Sequence, residues 1–351
     1  MAMIAAIWTQ FFPPRNGAPL TEANLPSQAG KVFIVTGGSS GLGYELSRIL
    51  YGAGGKVYIL TRSKEHADDA VARIQAFYEG RDDLAKPRGS LHFVFMDLTD
   101  LTTVKAAAEE FLRRETKLDV LFNNAGTGAL KNAPATRQGH EYHFGVNSLG
   151  GFLLAQLLTP CLSRTAQQSP SGSGRVVWSA SCLVEMMTPE GGIRSSFLRD
   201  TSTVTYQDEL YSSSKAAGWF VASEFTRRQQ QQQQRTGSPG EGPGMVLHIA
   251  GNPGNYRSNI WRTTPAFYYW VMRPILRHPV HGAETYLFMG LSESVTLDDA
   301  AAGRYVIPDG RWHPGQRADL LLALRSVEEG GSGRAKEYFD WCEDKVQEFL
   351  K

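Results

Sequence analysis

The chain has 351 residues, 42 % of them hydrophobic and 20 % charged, with a formal net charge of +1. That balance suits a soluble globular protein and gives no reason to invoke a nucleic-acid partner; the length allows two domains, yet one α/β sheet with insertions can use all of it. Cys161, Cys182 and Cys342 are too few and too scattered for a disulfide framework or a zinc site, and no metal is expected.

Residues 1–29 read as an N-terminal arm. Its start, MAMIAAIWTQFF, is apolar for about a dozen residues without a basic beginning. It is too short to span a bilayer and makes a poor signal peptide, so no integral membrane segment and a cytoplasmic location are expected. Two readings remain, a shallow membrane-surface contact through Trp8, Phe11 and Phe12, or a flap packed on the domain. The flap is preferred, because no basic residue accompanies the aromatics before Arg15.

The run KVFIVT at 31–36 is short, apolar and β-branched between Gly30 and Gly37, the pattern of a strand buried on both faces. From Gly41 to about Ala53 the spacing is helical, with Leu42, Leu46, Ile49 and Leu50 on one side. The turn between them is Thr36-Gly37-Gly38-Ser39-Ser40-Gly41-Leu42-Gly43. Such a turn lets the backbone approach a pyrophosphate, whose charge is favoured by the N–H groups and dipole of the helix start. Its G-x-x-x-G-x-G spacing differs from the standard dinucleotide fingerprint, and an ordinary strand–turn–helix corner is the alternative.

A second strand, KVYIL at 56–60, ends in Thr61-Arg62. An acid near this point would bind a ribose 2′-hydroxyl, whereas an arginine accommodates a 2′-phosphate. NADP(H) is therefore expected rather than NAD(H); the alternative for Arg62 is a solvated strand-end arginine. Further strand-like runs near 91, 118, 175 and 245, and RYVI at 304–307, alternate with helical stretches. They predict an α/β fold, a doubly wound, Rossmann-type parallel sheet of about seven strands flanked by helices, in a single domain over 30–310.

The polar, low-complexity segments 165–174 and 227–244, the latter with a run of six glutamines, read as solvent loops at helix ends. Between them lies Tyr211-Ser-Ser-Ser-Lys215. A lysine four residues after a tyrosine shares its helix face, and the cation favours phenolate, so the pair can move a proton. Alone, this spacing more often marks a surface pair. With the glycine turn upstream, it points to hydride transfer between a nicotinamide cofactor and a carbon–oxygen bond.

The segment of about 255–285 is aromatic-rich; Trp261, Phe267, Tyr268, Tyr269 and Trp270 are candidates for lining an apolar substrate pocket, though some must be core. His278 and His281 lack further ligands to form a metal site. Residues 311–351 read as a C-terminal helical extension. Within it, 334–350 place Ala335, Tyr338, Phe339, Cys342, Val346 and Phe349 on one face. That face is expected to cover the domain core, with a homodimer contact as its second use.

These residues resemble the short-chain dehydrogenase/reductase family from about 30 to 310. The family's TGxxxGxG turn stands here as TGGSSGLG, its NNAG motif as Asn123-Asn124-Ala125-Gly126, and its acid after the third strand is matched by Asp97. The resemblance implies a site of Asn147, Ser181, Tyr211 and Lys215, with Lys215 also holding the nicotinamide ribose. Pro253, Gly254 and Ser258 in NPGNYRS match the stretch that reaches the nicotinamide, with Ser258 for the usual threonine. GHEYHFGVNSLGGFLL and HGAET are similar to the retinol-dehydrogenase-like branch, and the termini to fungal members associated with secondary metabolism. The implied activity is an NADP(H)-dependent oxidoreductase acting on the carbonyl or alcohol of a bulky, largely apolar small molecule. A cofactor-binding protein without turnover, or an epimerase or dehydratase of the same fold, are the alternatives.

One departure concerns spacing. Ser181 precedes Tyr211 by 30 residues, against about a dozen in the family, because of an insertion at roughly 184–206. Ser179 is therefore a rival; Ser181 is preferred because VVWSAS aligns with the family's strand end at its last residue.

Overall fold

The computed structural model describes residues 2–80, 87–169, 173–200, 206–236, 244–258 and 266–351. Eight strands form one sheet in the order β3-β2-β1-β4-β5-β6-β7-β8. They are β1 (Val32–Thr36), β2 (Lys56–Thr61), β3 (Ser90–Phe95), β4 (Val120–Asn123), β5 (Arg175–Ser179), β6 (Leu247–Gly251), β7 (Tyr305–Ile307) and β8 (Arg311–Trp312). Every pairing is parallel except that of β8 with β7. The doubly wound sheet predicted from the alternating pattern is present. It has one more strand than expected, because the chain turns back at Asp309-Gly310, both with positive φ, to add β8.

The helices are α1 (Ala2–Phe11), α2 (Gly41–Gly52), α3 (Lys64–Tyr78), α4 (Leu101–Arg114), α5 (Tyr142–Phe144) and α6 (Gly150–Gln168) in the first half. The second half adds α7 (Leu183–Met187), α8 (Gln207–Thr236), α9 (Ala266–Met272), α10 (Val280–Leu291), α11 (Leu297–Ala301), α12 (Ala318–Leu324) and α13 (Arg334–Val346). Alternation along β1 shows how both sheet faces become dry. Phe33 and Val35 join Leu46 of α2 and Leu287 of α10, while Val32 and Ile34 join α4, α6, α8 and α13 on the other face.

Three expectations need revision or detail. The glutamine run is not a loop up to residue 236: α8, 30 residues long, continues through it. Glutamine is a good helix former, and Gln229 ties the helix to the sheet by accepting from the Val246 N–H at 2.8 Å and donating to its carbonyl at 3.2 Å. Residues 237–243 lie outside the described residues, as do 170–172 of the first low-complexity segment. The N-terminal arm is docked, with Ala6 and Gln10 buried and the Arg311 guanidinium donating to the carbonyls of Thr9 and Phe12. Trp8 stays exposed, stacked on Phe12 with ring centroids 3.9 Å apart. The predicted C-terminal face is buried throughout, from Ala335 to Phe349, so it is spent inside the chain.

The stretch Tyr142–Gln168 is apolar and long enough to cross a membrane, but 67 % of its most apolar window is buried, as in a core helix. The sheet reverses its winding direction between β1 and β4. Ligands of open α/β sheets bind at the carboxyl ends of the strands at such a point.

Candidate active site

A cleft of about 580 Å³ opens there. Its middle is the glycine turn after β1. Gly37 (φ +66°) and Gly41 (φ +56°) take the left-handed conformation that a side chain disfavours. A Cβ on Gly43 would stand 2.4 Å from the Gly37 carbonyl oxygen and 2.6 Å from Asn124 Nδ2, so this position tolerates only glycine. Ser40, extended at the N-cap of α2, makes no side-chain bond to the helix start. The first-turn N–H groups thus keep their capacity for an anion. Thr36 and Asn124 work behind the turn. The Thr36 hydroxyl accepts from the Ala125 N–H at 2.8 Å, and Asn124 Nδ2 donates to the Thr36 carbonyl at 2.8 Å. Gly37, Ser39, Ser40, Gly41, Leu42, Asn124, Ala125 and Gly126 border the cleft, whereas Thr36, Gly43 and Asn147 do not.

At one end Arg62 is exposed on the cleft wall after β2, and Ser39 Oγ lies 3.4 Å from Thr61 Oγ1. The sequence reading missed His66, Asp69 and Arg73 beside it. They recur at helical spacing on α3, a signal legible once that helix is recognised. Arg73 pairs with Asp69 at 2.8 Å and stacks over Tyr44. Asp97 also borders the cleft, its carboxylate accepting from the Thr99 N–H at 2.9 Å and hydroxyl at 2.8 Å.

At the other end α8 brings Tyr211 and Lys215 to one face, both buried. Ser181, two residues past β5, has its side chain beside the Tyr211 hydroxyl, where it favours ionisation. Burial outweighs that and pushes the Tyr211 pKa up to about 12. Asp208 and the Cys182 thiol act in the same direction as burial. Lys215 turns its Nζ toward the Ser179 carbonyl, 3.5 Å away, and burial lowers its own pKa to about 8. A Cβ on Gly126 would sit 2.7 Å from Asn147 Oδ1 and 2.9 Å from Lys215 Nζ, so these two side chains converge over that glycine. Asn147 is held by the Thr127 N–H at 2.8 Å and by its own donation to Ser214 Oγ at 3.0 Å. It sits in a π-helical turn, Gly145–Leu149, a widening often found at functional sites and invisible in the sequence. Ser179 lies apart from Tyr211's partner, its side chain facing the Tyr286 phenol.

Pro253, Gly254 and Ser258 border this end, and Ser258 Cβ would lie 3.3 Å from a Cβ on Gly41. The aromatic lining expected from 261–270 is not found among the described residues. Phe267 and Trp270 are 73 % and 65 % exposed, and neither they nor Tyr269 borders the cleft. Trp261 and the side chain of Tyr268 lie outside the described residues. Leu130, Tyr142, Val146 and Tyr256 form the apolar wall instead.

The short chain dehydrogenase family model matches residues 31–193. Short-chain dehydrogenase/reductase bet4 of Neocamarosporium betae is 38 % identical over 99 % of this chain and 94 % of its own length. A short-chain dehydrogenase/reductase of Phomopsis amygdali is 37 % identical over 98 % of this chain and 97 % of its own. The chain belongs to the short-chain dehydrogenase/reductase family. Among solved structures, an uncharacterised protein of Mycobacterium paratuberculosis superposes with a TM-score of 0.63 at 23 % identity, covering 93 % of this chain and 97 % of that one. Pseudomonas aeruginosa RhlG, in an NADP active-site complex, gives 0.57 at 24 % identity over 82 % and 98 %. These two likenesses speak to the fold.

As a short-chain dehydrogenase/reductase, the chain is a family oxidoreductase for which a nicotinamide dinucleotide is the cofactor, and its cleft fits one: a glycine cradle without room for a Cβ, uncapped helix N–H groups and a buried Tyr–Lys pair. Its insertion is folded rather than loose. Ile193 and Phe197 are buried, the Ser213 hydroxyl donates to the Gly192 carbonyl at 2.9 Å, and Arg194 pairs with Glu209 at 2.6 Å. Residues 201–205 lie outside the described residues.

A buried network that sequence reasoning missed joins α1 and α7 to the Asn252-Pro253-Gly254 turn that borders the cleft. Glu185 of α7 accepts from Gln10 at 2.8 Å and pairs with His313 at 3.0 Å. The Gln10 carbonyl in turn accepts from Asn252 at 3.0 Å, and Asn252 accepts from the Gly254 N–H at 2.9 Å. Elsewhere His281, Glu284 and Asp309 lie close together, but Asp309 is spent on Arg277 at 2.7 and 2.8 Å.

Proposed function

We propose that the protein is a cytoplasmic NADP(H)-dependent reductase or dehydrogenase acting on a ketone, aldehyde or alcohol of a bulky, largely apolar small molecule in fungal secondary metabolism. The observation that carries this reading is the buried Tyr211, with Ser181 beside its hydroxyl and Lys215 one helical turn on, at the end of a cleft whose middle is a glycine cradle. A nicotinamide bound at that end supplies or accepts the hydride. Tyr211 donates its proton to the substrate oxygen as negative charge develops there; a phenol pushed up to about 12 stays protonated at neutral pH, which suits carbonyl reduction. Ser181 hydrogen-bonds the same oxygen and stabilises the charge. Lys215 holds the ribose hydroxyls and, converging with Asn147 over Gly126, returns a proton to Tyr211. Arg62, with Arg73 nearby, supports NADP(H), since a guanidinium grips a 2′-phosphate in a bidentate way. The wall of Leu130, Tyr142, Val146 and Tyr256 supports an apolar substrate.

A carbonyl-substrate screen following NADPH absorbance, joined to titration of both cofactors, tests the reading. Tyr211→Phe should abolish turnover with cofactor affinity within a few-fold, because only the hydroxyl moves the proton. Arg62→Ala should weaken NADPH by about ten- to a hundredfold, the loss of a hydrogen bond to a charged group, and leave NADH nearly unchanged. Retained turnover in the phenylalanine variant, or equal wild-type affinity for NADH and NADPH, would overturn the corresponding assignment.

A further inference from the structure

We infer that Tyr305 is a positioning residue that holds Ser181 in register with Tyr211, a role that rests on Ser181 donating to the substrate oxygen as proposed above. Ser181 stands where the sheet stops supporting the chain. Ala180 still bonds to β6, its N–H donating to the Gly251 carbonyl at 2.8 Å. One residue on, Ser181 Oγ accepts from the Leu183 N–H at 3.2 Å, and the Ser181 carbonyl accepts from the Val184 N–H at 3.2 Å. Both donors lie within three residues and move with Ser181, so they set its local conformation and not its place. The Ser181 carbonyl also accepts from the Tyr305 hydroxyl at 3.0 Å, and this donor comes from β7, 124 residues away.

The ring of Tyr305 is fixed against the helix that carries the proton pair. Trp219 follows Tyr211 and Lys215 on α8 at four-residue steps, which puts all three on one face. The Tyr305 and Trp219 rings meet with centroids 5.0 Å apart and planes at 61°. Trp219 Nε1 donates to the Gly303 carbonyl at 3.1 Å, just before β7, so the contact is pinned from both sides. One side chain thus touches α8 with its ring and Ser181 with its hydroxyl. Tyr305 is 3 % exposed and does not border the cleft, so it acts through Ser181 and not on a ligand. Burial pushes its pKa up, and the phenol stays a donor at neutral pH. Ser181 and Tyr211 are 30 residues apart along the chain, too long a connection to align two hydroxyls by itself.

Tyr305→Phe keeps the ring against Trp219 and removes the hydroxyl alone. Turnover is followed by NADPH absorbance with apolar carbonyl probes, acetonaphthone and cinnamaldehyde among them; NADH replaces NADPH if the wild type binds it more tightly. The variant should lose about ten- to a hundredfold in kcat, as misplaced reacting groups do, with cofactor affinity within about twofold of wild type. In a Ser181→Ala background the same change should cost less than about twofold, because no hydroxyl is left to align. Hydrogen exchange of residues 180–187 should quicken about three- to tenfold, the worth of one neutral hydrogen bond, while 211–219 keep their rates. Additive losses in the double variant overturn the inference. So do an unchanged kcat and an equal loosening of both segments, which would mark Tyr305 as ordinary core. A Ser181→Ala variant as active as wild type overturns the role of Ser181 instead, and a wild type that reduces no carbonyl probe overturns the proposed function. Both results are distinct from a failure at Tyr305.

Discussion

Burial is the one influence acting on the pKa of Lys215, which falls from 10.5 to about 8. Because the folded state disfavours the charged form, the penalty is complete below about pH 8, fades as pH rises toward 10.5, and is absent above it. At neutral pH that depression corresponds to about 3 kcal/mol. Lys215→Met should therefore be inactive yet more stable at pH 7 by up to about 3 kcal/mol, with the gain shrinking toward zero near pH 10.5. Urea unfolding of both proteins at pH 7 and pH 10 measures this. A variant no more stable than wild type at pH 7 would mean that the ammonium is better solvated than its burial implies. The same desolvation acts on Tyr211: the YxxxK spacing says which groups share a helix face, not how much of the protein covers them.

At the scale of elements, α1 and α7 do what neither could do alone. Gln10 bridges a buried carboxylate on α7 to the Asn252-Pro253-Gly254 turn, so the arm fastens that cleft-bordering turn to α7. Gln10→Ala leaves Glu185 and Asn252 each short of a buried partner. It should destabilise the protein by about 1–3 kcal/mol and lower turnover, since the turn loses its support. Trp8→Ala, 62 % exposed on the same helix, should change stability by less than about 0.5 kcal/mol. Denaturant midpoints of the two variants decide the matter, and equal effects would mean the helix is held by its apolar contacts instead. Periodicity could pick out the buried face of α13 because it is apolar at helical spacing. It could not pick out Gln10, whose importance comes from a residue 175 positions away.

Over the whole molecule, Ile34 of the central strand and Tyr338, Phe339 and Val346 of α13 share one core. Trp341 donates to the Leu198 carbonyl at 3.0 Å, so the last helix also covers the insertion that separates Ser181 from Tyr211. We propose that residues 30–351 unfold as one unit. Far- and near-UV circular dichroism should then give coincident transitions. Removal of 334–351 should abolish cooperative unfolding, because it uncovers buried aromatic side chains. A truncated protein with native near-UV signal and turnover would make the extension an accessory.

The sequence by itself determined the sheet and the glycine-rich turn between its first strand and the helix that follows. Alternating apolar runs, glycines at left-handed positions and a four-residue helical spacing are local patterns, and local backbone geometry follows from them. Only the tertiary structure decided that Ser181 rather than Ser179 stands beside Tyr211, and that the aromatics at 267 and 270 face outward. It also decided that the glutamine run extends a helix. Each of these depends on which distant segments cover a residue, and desolvation is a sum over neighbours that no short window of sequence contains.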